Sequence, residues 1–197
     1  MTTQAHETPA TGAGLQPYRV TVRQFERMIA AGLFGDDRVE LLGGLLVMMT
    51  SYPPHVYAVS RIANLLGKML PENDWTVFDE KPIRLGRFWR PQPDVTILKG
   101  PLGDYRNRRP RVADVALLIE VADMTYLKDS GPKLRRYAAC RMPTYGIVHL
   151  PARQVEIHEG PTGRHYQHRT VYGEDDTVVV RLEGHEFGRL VVRDILP

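Results

Sequence analysis

Two acidic residues are candidates for metal chemistry because each lies at the end of an apolar segment. Asp94 follows Pro93 and opens the apolar segment 95–98, and Glu120 lies near the end of segment 115–121, VALLIEV. A carboxylate in so apolar a segment is unfavourable unless it is paired, protonated or bound to a metal ion. If the two segments are neighbouring strands, the acids form a site of hard oxygen ligands that suits Mg²⁺. The alternative is that Asp94 caps a turn and Glu120 pairs with an arginine; for the two acids together, the metal site is the preferred interpretation.

The surrounding pattern predicts a sheet that could bring these acids together. Segment 115–121 is the most apolar in the chain and predicts a central strand that is buried on both faces. Helices are predicted over about 21–31, from His55 to about 70, and over about 130–141, and Gly43-Gly44 predicts a tight hairpin. Further strands are predicted at 75–78, 83–85, 95–98, 145–150, 155–158, 165–172, 178–182 and 190–192. This order indicates an α/β sheet covered by helices.

Length and composition are those of an ordinary globular protein. The chain has 197 residues, of which 43% are hydrophobic and 25% are charged. We expect a flexible leader at 1–16, followed by a single domain at 17–197. The N-terminus has no pattern of a secretory signal, and no apolar run has the length of a membrane span. The single cysteine, Cys140, excludes an intramolecular disulfide, so we expect a cytoplasmic protein without membrane association.

The positive charge is modest but its arginines are clustered. The net charge is +3, and arginines concentrate at 84–90 and at 106–111. Such clusters can follow the phosphates of a nucleic acid. From charge alone, solvated loops are the favoured interpretation.

The motifs, taken in order, resemble the Uma family of restriction endonucleases within the PD-(D/E)XK nuclease superfamily. The resemblance spans about residues 18–196. It rests on VELLGG at 39–44, His55, PDV at 93–95, LIEV at 118–121, Asp129, Lys133, Tyr137 and PTY at 143–145. Pro-Asp alone is common, but the ordered set at these spacings is fairly specific.

The resemblance implies a restriction-endonuclease-like core: a central mixed sheet flanked by helices, with an N-terminal hairpin and a β-rich C-terminal part. It also implies hydrolysis of phosphodiester bonds that depends on Mg²⁺ or Mn²⁺, with Asp94 and Glu120 as the metal ligands. Glu40 and His55 would line the same cleft. The superfamily pattern has a lysine two positions after the glutamate, where this chain has Ala122. In the Uma family the lysine comes from the following helix, so Lys133 would stand near the attacking water.

The expected function is therefore that of a metal-dependent endonuclease that acts on DNA. A two-fold homodimer would suit cutting of both strands. One alternative is a catalytically inactive, nuclease-like module that binds nucleic acid or a protein partner. Another is an accessory protein of a toxin or transposon that has the same fold without DNA contact. Metal-dependent cleavage would separate the first function from both alternatives, and salt-sensitive binding without cleavage would favour the module.

Overall fold

The computed structural model describes residues 17–197, so the leader predicted at 1–16 lies outside the described residues. The helices are α1 (Val22–Ala30), α2 (Pro53–Met69), α3 (Tyr126–Lys128) and α4 (Leu134–Ala139), and a π-helical turn, Asp129–Lys133, joins the last two. The strands are β1 (Val39–Leu42), β2 (Leu45–Met48), β3 (Trp75–Asp79), β4 (Val95–Lys99), β5 (Val115–Ala122), β6 (Thr144–His149), β7 (Gln154–Thr162), β8 (His165–Tyr172), β9 (Thr177–Leu182) and β10 (His185–Val191). Short 3₁₀ helices lie at Leu102–Tyr105, Val112–Asp114 and Val192–Ile195.

The central sheet is mixed and has the order β3-β4-β5-β6-β7-β8. β5 and β6 run parallel, and the other neighbouring strands are antiparallel. All eight residues of β5 are buried, as its apolar sequence predicts for an interior strand. The hairpins β1–β2 and β9–β10 form two separate sheets. The α/β fold class with a central mixed sheet is thereby confirmed.

The central sheet packs between two layers. Residues of β5 that lie on one face, such as Ile119 and Val121, join a core with α2 and the β9–β10 hairpin. Those on the other face, such as Leu118 and Ala122, pack against Tyr137 of α4. This alternation follows from the two-residue period of a strand. Within residues 17–197, none of the helices is both long and apolar enough to cross a membrane.

The N-terminal hairpin forms where the two glycines predict it. Gly43 and Gly44 have φ values of 64° and 90°, which a two-residue hairpin turn requires and other residues adopt poorly. The strand predicted at 83–85 is wrong. That segment belongs to an irregular loop in which the Ile83 N–H donates to the Pro91 carbonyl and the Leu85 N–H donates to the Trp89 carbonyl.

The helix predicted at 130–141 begins earlier than its capping pattern indicated. Helical structure starts at Tyr126 and continues to Ala139, and we refer to residues 126–139 as the site helix. Ser130 lies inside it, where its hydroxyl donates to the Tyr126 carbonyl at 2.7 Å. Pro132 has no N–H to donate, and the helix widens into a π turn around it. Lys133 is consequently not in the first turn of the helix.

Candidate functional site

Asp94 and Glu120 lie on the same face of the central sheet. β4 and β5 are antiparallel neighbours, and Val95 lies opposite Ile119. Asp94 precedes Val95 and Glu120 follows Ile119, so the two acids also lie opposite each other. Val95 and Ile119 both point into the core beneath α2, so the acids that alternate with them point toward the site helix. One carboxylate oxygen of Asp94, Oδ2, accepts a hydrogen bond from the Val121 N–H at 2.6 Å.

Lys133 brings a positive charge to these carboxylates from the site helix. Its ammonium nitrogen lies 2.9 Å from Glu120 Oε2, 3.1 Å from Glu40 Oε2 and 3.6 Å from Asp129 Oδ1. The lysine is only 1% exposed. Burial alone would lower the pKa of Lys133, but the surrounding carboxylates outweigh it and raise the pKa above its ordinary value. The surrounding carboxylates thus favour the protonated form of Lys133.

Glu40 joins this cluster from β1, which lies outside the central sheet. In addition to Lys133, it contacts the Lys128 ammonium at 2.9 Å and accepts a hydrogen bond from the Gln92 N–H at 3.3 Å. Burial would raise the pKa of Glu40, but the two lysines outweigh it and lower the pKa. Glu40 is not among the residues that form the wall of the adjacent cavity, but it contacts the two lysines that do.

Two further residues on the site helix complete the cluster. The Tyr137 hydroxyl is fully buried and donates to Glu120 Oε1 at 2.7 Å. Asp129 accepts a hydrogen bond from the Thr125 hydroxyl at 2.6 Å through Oδ2, and Asp129 Oδ1 has no hydrogen-bond partner within residues 17–197. Asp129 does not cap the site helix, because it lies within the helical segment and contacts Lys133. The i, i+4 spacing of 129, 133 and 137 is the signal that could have indicated a shared face.

The cluster contains more carboxyl groups than ammonium groups. Its carboxylates are Glu40, Asp94, Glu120 and Asp129, whereas its ammonium groups are Lys128 and Lys133. Burial raises the pKa of Glu120 well above its ordinary value despite Lys133, and the neighbouring acids add to that rise. Burial also raises the pKa of Asp129. A further cation at this place would relieve the unfavourable burial of these acids.

His55 holds Asp94 from the side opposite Val121. It lies in the first turn of α2, and its Nε2 is 3.2 Å from Asp94 Oδ1. Burial would lower the pKa of His55, but its hydrogen bond to Asp94 and the charge of that carboxylate outweigh it and raise the pKa. Both oxygens of Asp94 are thus held in defined positions, which orients the carboxylate toward the cavity.

A small cavity of about 30 Å³ lies beside these groups. Its wall is formed by Met49, Thr50, Ser51, Tyr52, His55, Asp94, Glu120, Val121, Asp123, Met124, Thr125, Lys128, Asp129 and Lys133. A volume of about 10–15 Å³ admits one water, so the cavity has room for an ion with water but not for a nucleotide base.

The donor set fits a hard divalent cation held by few protein ligands. Among the described residues, no three His, Cys, Asp or Glu side chains converge to form a complete metal cage. Mg²⁺ needs no such cage, because it is usually bound by one or two carboxylates together with water and substrate phosphates. Asp94 and Glu120 provide the carboxylates, and Asp129 Oδ1, which has no hydrogen-bond partner among the described residues, is a further hard oxygen nearby.

A further buried acid, Glu156 of β7, anchors the start of the site helix. It is 1% exposed, accepts a hydrogen bond from the Tyr126 hydroxyl at 2.7 Å and accepts another from Arg169 Nε at 3.0 Å. Tyr126 opens the site helix, and its ring stacks on His149 at 4.1 Å between centroids. Glu156 thereby positions the helix that carries Lys128 and Lys133. The pattern of strand β7 did not indicate this contact.

Glu156→Gln is expected to lower the free energy of unfolding by about 1–3 kcal/mol at neutral pH, because it weakens two hydrogen bonds to a buried charge. Burial would raise the pKa of Glu156, but hydrogen bonds from Arg169 and Tyr126 lower it overall. This stabilisation is therefore present above the ordinary carboxyl pKa of 4.5 and is lost as the pH falls through the lowered value. Denaturant unfolding at a series of pH values measures it.

The control for this prediction is Glu159→Gln, which changes an exposed glutamate on the same strand. It should alter the free energy of unfolding by less than about 0.5 kcal/mol. If the free energies of unfolding of Glu156→Gln and the unchanged protein differ by the same amount at every pH, the hydrogen bonds of Tyr126 and Arg169 to a charged Glu156 do not stabilise the protein.

Comparison with known proteins identifies both a family and a fold. A family model described as "Uma2: Putative restriction endonuclease" matches residues 22–191. A solved structure, titled as a putative nuclease belonging to DUF820 from Anabaena variabilis, is 14% identical in sequence with a TM-score of 0.65. The match covers 89% of this chain and 97% of that one, and at this identity it supports the fold alone. None of the curated proteins matches the chain.

Proposed function

Because this chain belongs to the Uma2 family of restriction-endonuclease-like proteins, we propose that it is a metal-dependent nuclease that hydrolyses phosphodiester bonds in DNA. The observation that carries the proposal is the buried excess of carboxylates around Asp94 and Glu120, with the fixed charge of Lys133 beside them. A buried cluster in which carboxyl groups outnumber ammonium groups, at the wall of a small cavity, has little value for stability alone. Metal-assisted chemistry on an anionic substrate accounts for it.

Asp94 and Glu120 would hold Mg²⁺ or Mn²⁺. A divalent ion at this place supplies Lewis-acid chemistry toward water and phosphate. The protein's own part is to hold the two carboxylates in fixed orientations. The Val121 N–H and His55 hold Asp94, and the Tyr137 hydroxyl holds Glu120. Such outer contacts orient metal ligands in many proteins.

Lys133 would offset negative charge that develops on the phosphate. Its raised pKa keeps it protonated, so its contribution is electrostatic and not a proton transfer. Glu40 and Asp129 hold the ammonium group in place, which makes Glu40 a positioning residue. Residues 17–197 would form the single domain that carries all of these groups.

Purified protein is expected to nick supercoiled plasmid in Mg²⁺ or Mn²⁺ and to leave it intact in EDTA, because the carboxylates alone do not activate water. Agarose-gel assays of the three conditions measure the effect. Mg²⁺ should also raise the melting temperature by mass action. Salt-sensitive DNA binding without cleavage under any of the metals would contradict the nuclease and favour the inactive module.

A further inference from the structure

Three arginines converge on the outer face of the site helix. Arg135 and Arg136 project from α4, and Arg164 comes from the turn between β7 and β8. Together with Trp89, Pro132 and Ala139 they line a surface pocket of about 320 Å³, which we call the arginine pocket. The pocket lies outside the cluster around Lys133.

The arginine pocket differs from the arginine-rich loop at 106–111 because its arginines have no neighbouring carboxylates in the part of the chain that the structure describes. In the loop at 106–111, Arg108 pairs with Asp114, and Arg109 pairs with Glu26. Within residues 17–197, the three arginines of the pocket have no carboxylate at ion-pair distance. Like charges that converge without a partner repel one another, so the arrangement favours an anionic ligand.

Arg136 is held in position at the base of this pocket. Its guanidinium lies over the Trp89 ring at 5.9 Å from the centroid, and one of its Nη groups donates to the Leu85 carbonyl. A Cβ at Gly86 would come within 3.0 Å of the same guanidinium, so the absence of a side chain there permits the approach. The buried Nε of Arg136 has no hydrogen-bond partner among the described residues. Arg136 is therefore fixed at the base of the pocket, and Arg135 and Arg164 line the same pocket beside it.

The position of the pocket relative to the cleft suits an extended substrate. Lys133 lines the cavity beside Asp94 and Glu120, whereas Arg135 and Arg136 of the same helix line the arginine pocket. A helix with its side chains is about 10–12 Å across. One DNA strand presents a phosphate every 3.4 Å or so along its axis, so a strand bound at the cleft has further phosphates within the width of one helix.

We infer that the arginine pocket binds a backbone phosphate of the nucleic-acid substrate, outside the scissile position. This inference rests on the proposed nuclease function, and it adds the place on the surface where part of the bound substrate lies. Guanidinium groups suit phosphate because they donate two parallel hydrogen bonds to its oxygens. The ligand is one phosphate of a continuous chain, so the pocket strengthens binding without reading the base sequence.

The test compares Arg135→Ala/Arg164→Ala with a control of equal charge change, Arg181→Ala/Arg189→Ala. The control arginines are exposed on the β9–β10 hairpin, in a separate sheet. Binding of a labelled DNA duplex is measured in EDTA over a series of salt concentrations. The pocket variant should bind about 10-fold or more weakly, and the slope of log K against log salt should fall by about 0.9 for the lost phosphate contact. The control variant should keep the slope of the unchanged protein.

A second measurement separates this inference from the proposed function. The pocket variant should cleave bis-p-nitrophenyl phosphate as fast as the unchanged protein, since so small a diester cannot reach the pocket, while its cleavage of plasmid slows. Equal slopes and affinities in the pocket variant and the unchanged protein overturn the inference whatever the activity. Saturation of the pocket by inorganic phosphate with no change in the DNA slope would assign it to a free anion and also overturn the inference. A third outcome is that the pocket variant shows the smaller salt slope for DNA binding while the unchanged protein cleaves neither substrate. That result would overturn the proposed nuclease function and support phosphate binding by the pocket.

Discussion

Plasmid cleavage in Mg²⁺ should fall by about 10²–10³-fold in the Asp94→Asn variant, with the fold retained. The amide oxygen of asparagine can still accept the Val121 N–H that Asp94 Oδ2 accepts at 2.6 Å. The substitution therefore removes a negative charge without leaving that buried donor unpaired. Since the charge is what would hold a divalent ion, the rise in melting temperature caused by Mg²⁺ should disappear together with the activity.

The control for Asp94→Asn is Glu72→Gln, which changes an exposed carboxylate between α2 and β3 to an amide. It should cut plasmid at an unchanged rate and keep the thermal response to Mg²⁺. Titration calorimetry that shows equal Mg²⁺ binding by the unchanged protein and by Asp94→Asn would place the metal elsewhere. Asp94→Ala is a less informative variant, because it also leaves the Val121 N–H without a partner at a cost of about 1–3 kcal/mol.

Lys133→Met should lower the free energy of unfolding by about 3–5 kcal/mol, because it leaves buried carboxylates without their shared cation. Lys133 is in contact with Glu40, Glu120 and Asp129, and all of these side chains are at most 3% exposed. A loss of this size is a large fraction of the stability of an ordinary domain. From the sequence alone, a lysine in the first turn of a helix could have been removed with little effect on stability. Denaturant unfolding measures the difference.

Two further variants make this prediction specific. Lys128→Met removes a lysine whose side chain is 23% exposed and which, within residues 17–197, pairs with Glu40 alone, so its loss should be nearer to about 1 kcal/mol. Glu120→Gln/Lys133→Met removes the carboxylate together with its cation and should recover part of the stability lost in Lys133→Met. Equal losses in the two lysine variants, or no recovery in the double variant, would contradict a central role for Lys133 in the cluster.

Lys133→Met should also slow cleavage by about 10²-fold when it is measured at a temperature where the variant is folded. The reason is that the fixed charge beside Glu120 would no longer offset charge on the phosphate. Lys133→Arg should rescue poorly, since the planar guanidinium does not fit a site built around a compact, fully buried ammonium group. Circular dichroism at the assay temperature separates slow catalysis from loss of fold.

The central strand and its acids could be predicted from the sequence because the signals are local. An uninterrupted apolar run identified β5 as an interior strand, and a two-residue period placed Glu120 on one defined face. Two glycines in succession predicted the β1–β2 turn, since the required positive φ is a property of the glycines themselves. The family resemblance added Lys133, which no pattern in β5 indicated.

The partners of these residues were decided by the tertiary structure. Glu40 and Lys128 are 88 positions apart, and their contact depends on how the β1–β2 hairpin packs against the site helix. Likewise, Trp89 and Arg164 come from distant loops to meet Arg135 and Arg136. The helical segment also starts at Tyr126, ahead of its predicted caps, and passes through a π turn at Pro132. Local patterns specify which face of an element is apolar, but the charge balance of a buried cluster depends on long-range packing, which no short stretch of chain encodes.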